Sequence, residues 1–578
     1  MTAARPLVLL RHLTLGVTTA AAMAVEDPAL LLVQASRRAP RRVTLAVAVL
    51  LARGATGARG AARRALAAWL RGHRDEAREA VREASSRTTS PPVRRLLGEV
   101  AAELDVPLPP GAAAVTRARA AWRSGDVDAA VHLAAGTSLG RRLVSERAAM
   151  TTGTTLAVRR AATRVPGRGA GDGPVALHLL TNSLPHTSSG YTLRSHEVLR
   201  AQAAAGIGVT AATRLGYPVT VGRVTGRDVD VVDGIPYHRL LPWAAARTPL
   251  ARLEQHVDLA RPLLRAVRPS VLHTTTAWTN ALVTRTLAEE HGLPWVYEVR
   301  GVLEDTWAAS FPTPQAREAA RASRRHAMLR ARESELAAAA DHVVTLGETV
   351  RRELVARGVD PARITVVPNA VPQGLLDVHV SSTEARARVG LPGEGFWVGT
   401  VSSLVDYEGI ETLVEAVAHL RRRGTDVRCA VVGDGTARPA IARRVAELGL
   451  QAHVVLPGRV SPDAATGWHL ALDAFVVPRR DTAVTRTVVP LKPMQAMALG
   501  RPVVASDLPA LAEIVDEPGA GLLAAPDDAE ALADAIGRLV EDRALGERLG
   551  AAGREFAATR TWAAAGAAYR RLYDGLAA

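Results

Sequence analysis

The chain has 578 residues, of which 48 % are hydrophobic and 22 % charged. That is enough for about three domains with cores of their own, and it excludes a disordered chain. The single cysteine, Cys429, excludes an intrachain disulfide and a cysteine-rich zinc site, and it suits a reducing compartment. The net charge of +15 is uneven: residues 1–170 carry 27 Arg against 12 Asp and Glu, and the remainder carries 45 basic against 45 acidic residues. Lys492 is the one lysine among 72 basic side chains.

From the N-terminus, the apolar stretch beginning at Pro6 is broken by Arg11 and His12 and followed by Glu26 and Asp27, so no signal peptide is expected. Val43 to Ala52 is apolar but far shorter than the about 20 residues of a spanning helix. With Arg41, Arg42 and Arg53 around it, it reads as a buried helix of a helical domain or as a helix lying on an anionic membrane surface. Residues 1–165 read as helix after helix. Trp69, Gly72, Asp75 and Ala77 form a W-x-x-G-x-x-D-x-A pattern that returns at Trp122, Gly125, Asp128 and Ala130. Each copy predicts a helix ending near Trp, a glycine turn and a second helix opening with acids. The pattern resembles tetratricopeptide hairpins in type, though not in period. Such a module binds a protein partner or faces a membrane, or else it covers part of the next domain; its deletion is expected to leave the rest of the chain folded.

Residues 166–174 are a Gly-rich linker by composition. Beyond it strands and helices alternate: Val175–Leu180, Ser270–His273, Trp295–Arg300, His342–Thr345, Ile364–Val367, Trp397–Val401, Val427–Val432, His453–Leu456, Ala474–Val477 and Pro502–Ala505 read as strands. The fold class is therefore α/β with parallel sheets. About 400 residues exceed one doubly wound sheet, so two Rossmann-like domains facing a cleft are expected. The first takes 175–375 and is completed by the C-terminal helix 556–578; the second takes 376–555.

Two segments carry chemistry. Asn182 to Tyr191 leaves the first strand and opens a helix, a place suited to an anion or sugar hydroxyls. In the second domain, Arg486 to Gly500 places Lys492 and Pro493 at a helix start. A lysine where this chain otherwise uses arginine suggests a compact point charge, and with Arg486 it would cradle a diphosphate. Asp228-Val229-Asp230 has the form of a metal-binding Asp-x-Asp, but it precedes Gly234 and Pro236 in an expected hairpin and reads as a solvated edge, so no metal is expected.

In this order these pieces resemble the GT-B glycosyltransferases, specifically family 4 of the retaining enzymes. The resemblance covers about residues 174–578. It rests on Ser189-Gly190, Val367-Pro368-Asn369-Ala370-Val371, Val431-Val432-Gly433-Asp434-Gly435, Gln495 through Asp507, Glu513 and Pro526 to Asp528. It implies a nucleotide-sugar donor held mainly by the second domain, at Ser402, Ser403, Gly433, Asp434, Arg486, Leu491, Lys492, Gln495 and Glu513, with Gly190 and Asn369 of the first domain. It implies an acceptor, a glycan or a lipid-linked glycan of envelope assembly, held by the first domain at Ser189, Tyr191 and Arg194. The family's E-x7-E glutamates are replaced here by Thr487 and Gln495, and Glu408 stands where a lysine is common.

Lys492 is the expected catalytic cation. Glu298 and Arg300, two apart at the end of one strand, and His273 at the end of another complete the expected catalytic set. For these three a structural ion pair and a buried histidine are the competing readings. No cofactor beyond the donor substrate is expected. Nucleic-acid binding by the basic N-terminal part lacks stacking aromatics and a known motif. A cytoplasmic location is expected, with a peripheral place on the inner face of the membrane left open. The alternative function is a catalytically weak or inactive protein of this fold, acting as an interaction scaffold through its helical part.

Overall fold

The computed structural model describes residues 6–38, 41–56, 60–85, 90–104, 106–158, 173–311 and 313–577. Most of the expected linker, up to residue 172, lies outside the described residues.

The N-terminal part is helical among its described residues. Both copies of the Trp-Gly-Asp pattern form a hairpin. The helix Ala61–Arg71 ends at Gly72, whose φ of +83° is the left-handed conformation that favours glycine at a helix C-terminus, and the next helix, Arg74–Ser85, opens with Asp75 and Glu76. The helix Ala114–Ser124 ends in the same way at Gly125, and Asp126 caps the helix Val127–Leu133 by accepting from the Ala129 amide.

The two hairpins pack against different things. Ala61, Ala62, Ala65, Ala68, Ala77, Ala80 and Val81 bury themselves with Val33, Leu97, Val100 and Leu104 in a core of helices alone. Ala118, Trp122, Val127 and Ala130 instead share one core with Leu177, Leu272, Leu282 and Leu336 of the first α/β domain. The Arg325 guanidinium lies 5.5 Å from the Trp122 ring and 5.1 Å from the Trp307 ring, and it donates to the Trp122 carbonyl at 3.1 Å. A Cβ at Gly125 would come within 2.3 Å of Ser323 Oγ. This corrects the expectation that residues 1–165 can be deleted harmlessly. Removal would strip an apolar face from the α/β domain, whereas the separate helical core ends near Val106.

The α/β region has fourteen strands: β1 Val175–Leu180, β2 Gly208–Thr213, β3 Val229–Val232, β4 Ile235–Arg239, β5 Val271–Thr275, β6 Trp295–Val299, β7 His342–Thr345, β8 Ile364–Val366, β9 Phe396–Val401, β10 Val427–Val432, β11 Val454–Gly458, β12 Ala474–Val477, β13 Val503–Ser506 and β14 Gly521–Ala524. They form two sheets, in the orders β3-β4-β2-β1-β5-β6-β7-β8 and β11-β10-β9-β12-β13-β14. Every pairing is parallel except the β3–β4 hairpin. The inner strands, such as Val175–Leu180 and Phe396–Val401, are buried along their whole length, as helices on both faces of a sheet require. The two small-residue strands β2 and β14 escaped the sequence reading because Gly208-Val-Thr-Ala-Ala-Thr213 and Gly521-Leu-Leu-Ala524 carry little β-type patterning.

The final helix, Trp562–Ala577, returns to the first domain. Its Trp562, Ala565, Tyr569 and Tyr573 pack with Val198 and Val271. In both sheets the strand order reverses beside the first strand, between β1 and β5 and between β9 and β12. Ligands of such sheets bind in the crevice at those strand ends. The loops in question start at Thr181 and Ser402, where the sequence placed the site.

Candidate functional site

In the second domain the loop after β9 crosses the loop after β10 at backbone contact. A Cβ at Gly433 would meet the Ser402 carbonyl at 1.9 Å, and one at Gly435 would meet the Leu404 carbonyl at 2.1 Å. Glycines at 433 and 435 therefore let the two loops close on each other. Their approach leaves Ser402 Oγ buried without a partner and Ser403 exposed at the strand ends. Asp434 is exposed; its carbonyl accepts from the Leu404 amide and its side chain from the Gly435 amide.

Beside this crossing, the Val488–Leu491 turn leads into the short helix Lys492–Ala498. Lys492 Nζ donates to Gln495 Oε1 at 3.0 Å, and no carboxylate of the described residues pairs with it. Burial holds its ammonium below the ordinary lysine value. His469, with both ring nitrogens buried and unpartnered, is pushed down to about 3 by burial and then by the Lys492 charge. A half-buried cation facing a neutral histidine and an amide lacks an anion of its own. Gln495, in the place of the family glutamate, leaves it so. Arg486, by contrast, is exposed and ion-paired with Asp481, which removes it from the expected cradle.

Glu408, standing where the resemblance implies a lysine, is neutralised. Arg479 donates to both its oxygens, at 2.8 and 3.2 Å, and to the Val488 carbonyl at 2.8 Å. Its counter-charge comes from the loop after β12, and the pair as a whole is neutral. Neither residue is near the other in sequence, so only the fold reveals the pair. Among the described residues no group of three or more His, Cys, Asp or Glu side chains is placed to hold a metal ion. Asp230 is a correction: it is buried, accepting from Arg239 at 2.9 Å and paired with His186 at 2.8 Å, and is no solvated edge.

In the first domain the expected catalytic trio is closed to substrate. Glu298 has no exposed surface. Its Oε1 accepts from Arg194 Nε at 3.0 Å and Arg300 Nε at 2.9 Å; its Oε2 accepts from Tyr569 Oη at 2.9 Å and lies 3.2 Å from His273 Nε2. His273 Nδ1 is 2.7 Å from Tyr573 Oη. Burial alone would raise the Glu298 carboxyl, but the Arg300 and Arg194 charges outweigh it and hold it well below the usual carboxylate range. Burial keeps His273 below its ordinary value. With every lone pair taken, Glu298, Arg300 and His273 are positioning residues. They act on the loop: Arg300 donates to the Tyr191 carbonyl at 2.9 Å and to Ser195 Oγ at 2.7 Å.

Arg194 is likewise no acceptor contact. It donates to the Val367 and Pro368 carbonyls and to Asn369 Oδ1, pinning the proline–asparagine turn. Ser189 spends its hydroxyl and amide on a capping box with Thr192. That leaves Gly190, open on its Cβ side, and the half-exposed Tyr191 facing the cleft. A Cβ at Gly301 would meet both Tyr191 Oη and Val488 Cγ2 at 3.3 Å, so the two domains converge there.

Two other expected donor residues bridge the domains. Asn369 Nδ2 donates to the Val489 carbonyl at 3.0 Å. Glu513 accepts from the Glu348 amide at 2.9 Å and from the Thr349 amide and hydroxyl at 3.1 Å, all in the first domain. Both are corrected from donor contacts to interdomain ties. Tyr569 and Tyr573 were missed because nothing local marks a C-terminal helix as completing a buried network some 270 residues away in sequence. If Glu513 holds the cleft closed, Glu513→Ala should increase the radius of gyration of the free protein in small-angle X-ray scattering. An unchanged scattering curve would show that the remaining contacts suffice.

Comparison with known proteins agrees with this geometry. Residues 189–370 match the glycosyl transferase 4-like domain, and residues 395–542 match the glycosyl transferases group 1 family, together more than half of the chain. The 2-deoxystreptamine glucosyltransferase of Streptomyces kanamyceticus is 33 % identical over 205 residues, 35 % of this chain and 52 % of that protein. The D-inositol 3-phosphate glycosyltransferase of Acidothermus cellulolyticus is 28 % identical over 352 residues, 55 % of this chain and 74 % of that protein. The chain spans about half the length of several of the curated relatives it matches. A sucrose-phosphate synthase from Thermosynechococcus elongatus shares the two-domain GT-B fold, with a TM-score of 0.56 at 24 % identity, over 70 % of this chain and 99 % of that one. With two facing doubly wound domains, ligand loops at both switch points and matches to both domain models, the chain belongs to the glycosyl transferases group 1 family, its first α/β domain being the glycosyl transferase 4-like partner.

Proposed function

We propose that this protein is a retaining glycosyltransferase that moves a sugar from a nucleotide-sugar donor to a glycan or lipid-linked acceptor of envelope synthesis, without a metal. The observation that carries the reading is Lys492, a half-buried ammonium without a carboxylate partner at the strand-end crevice of the second domain. The donor diphosphate is the missing anion. As the sugar–phosphate bond breaks, an oxocarbenium-like sugar forms and charge grows on the leaving diphosphate; Lys492 stabilises that charge. A front-face reaction lets the leaving phosphate oxygen accept the acceptor's proton. No paired carboxylates are then required, in contrast to glycoside hydrolysis, and the burial of Glu298 is no obstacle.

The scaffold alternative drew on Thr487, Gln495 and Glu408. The Glu408–Arg479 pair removes one of these objections, because a neutralised carboxylate does not repel a phosphate. A thermal-shift panel of UDP, GDP, ADP and dTDP tests the reading. One nucleotide is expected to stabilise the protein, by about 2.7 kcal/mol at a hundredfold excess over its Kd, and to lose that effect in Lys492→Ala. No stabilisation by any of them would return the chain to the scaffold reading. The product anomer, read by NMR, tests retention.

A further inference from the structure

The helix Pro6–Glu26 is long and apolar enough, over Pro6–Ala24, to cross a membrane, and most of that stretch is exposed. Leu7, Leu10, Leu13 and Val17 are between 47 % and 68 % exposed. Its buried stripe of Val8, His12 and Leu15 seats it on the segment 216–228 of the first α/β domain. There Arg11 ion-pairs with Asp228, the Thr225 amide donates to His12 Nδ1 at 3.4 Å, and Leu15 reaches the backbone at Gly216. A helix tied down in this way lies along the domain and does not span a bilayer. The exposed Val221 and Val224 of that same segment extend the apolar surface, with exposed Arg223 between them.

The chain that follows this helix is strongly basic. Residues 28–74 hold ten arginines and no carboxylate. Within them the helix Arg41–Ala52 exposes Val43, Leu45, Val47, Val49 and Leu50 between exposed Arg42 and Arg53. Exposed apolar side chains flanked by exposed arginines match a lipid surface with anionic headgroups, and they are unlike a water-facing helix.

The seat lies next to the acceptor loop. Tyr217, in the segment that carries the first helix, donates to the Ser183 carbonyl at 2.6 Å and lies 2.9 Å from Thr187 Oγ1. Both belong to the loop that opens at the acceptor side of the cleft.

We propose that the exposed apolar face of the helix Pro6–Glu26 docks the enzyme flat on an anionic bilayer and brings the acceptor loop to an acceptor carried by a membrane lipid. The lipid-borne acceptor rests on the glycosyltransferase reading; the docking does not.

The test is flotation of the full chain with vesicles of phosphatidylcholine alone and of phosphatidylcholine with about one third phosphatidylglycerol, at low and high salt, without donor. Wild type is expected to float with the anionic vesicles, less so at high salt. The variant Leu7→Gln/Leu10→Gln/Leu13→Gln, altered at exposed positions only, is expected to bind about tenfold or more weakly while keeping its melting temperature and its nucleotide-induced shift. Equal flotation of the variant would overturn the proposal. So would a wild-type dimer in solution that the variant dissociates, since the face would then meet a second copy of this chain. A wild type that fails to float yet is stabilised by a nucleotide would end the docking proposal and leave the donor reading standing; the reverse result would do the opposite.

Discussion

Lys492→Ala is expected to lower turnover about 10²–10³-fold, the cost of losing one positioned donor to a developing oxyanion. The alanine protein should remain folded. The ammonium has a single polar partner, Gln495, and releasing it from a partly buried site relieves a desolvation cost. The loss should therefore appear in kcat, with a smaller effect on donor KM, because the charge acts most strongly as the diphosphate leaves. Lys492→Arg should restore only part of the activity, since a larger, planar guanidinium would replace a compact point charge beside buried His469. Gln495→Glu would place a carboxylate on Lys492 and compete with the phosphate for it; an activity that falls in this variant would show that the chain's departure from the family glutamate belongs to its way of holding the donor. Transfer of a radiolabelled sugar reads all three. Wild-type turnover in Lys492→Ala would move the donor site elsewhere.

The second large effect is on stability. Glu298→Gln keeps the shape of the side chain but leaves the Arg194 and Arg300 guanidiniums buried without a counter-charge. Breaking a buried pair in this way costs about 3–5 kcal/mol, to be read by denaturant unfolding of the first domain. The pH dependence has a defined sign. The Glu298 carboxyl is lowered in the folded protein, so its stabilisation is present above the unfolded carboxyl value of about 4.3 and is lost as pH falls through the acid range. His273 and His178 are also lowered, so their contribution is complete above about 6.5 and declines below it. Wild type should thus weaken steadily on acidification, and Glu298→Gln should flatten the part below pH 5. An unchanged acid slope in the variant would show that other carboxylates control it.

The network also explains how a residue can matter to transfer without meeting substrate. Glu298 orients Arg300, Arg300 holds the Tyr191 carbonyl, and Tyr191 is an exposed group of the loop proposed to hold the acceptor. A loss of activity in Glu298→Gln would therefore follow from a displaced loop and not from a missing acid or base.

Local chemistry decided the elements. The glycines at 72 and 125 end helices because their left-handed φ suits no other residue as well, and the buried runs at Val175–Leu180 and Val427–Val432 become inner parallel strands because both faces must be apolar. The order of those runs determined two α/β domains, and the isolated lysine marked the crevice in the second. What the chain could not show was the occupancy of each polar group, because that depends on partners hundreds of residues away. Glu298 and Arg300 share a strand end in any reading of the sequence, but only the fold brings Arg194, His273 and Tyr569 onto the same carboxylate and so closes it to substrate. Glu408 looks like a repelling carboxylate until Arg479 is placed against it. Trp69 and Trp122 carry the same local pattern and make the same hairpin, yet one packs within the helical part and the other against the core of the first α/β domain. Hairpin formation is local, whereas the choice of which apolar face covers which is made by the tertiary structure.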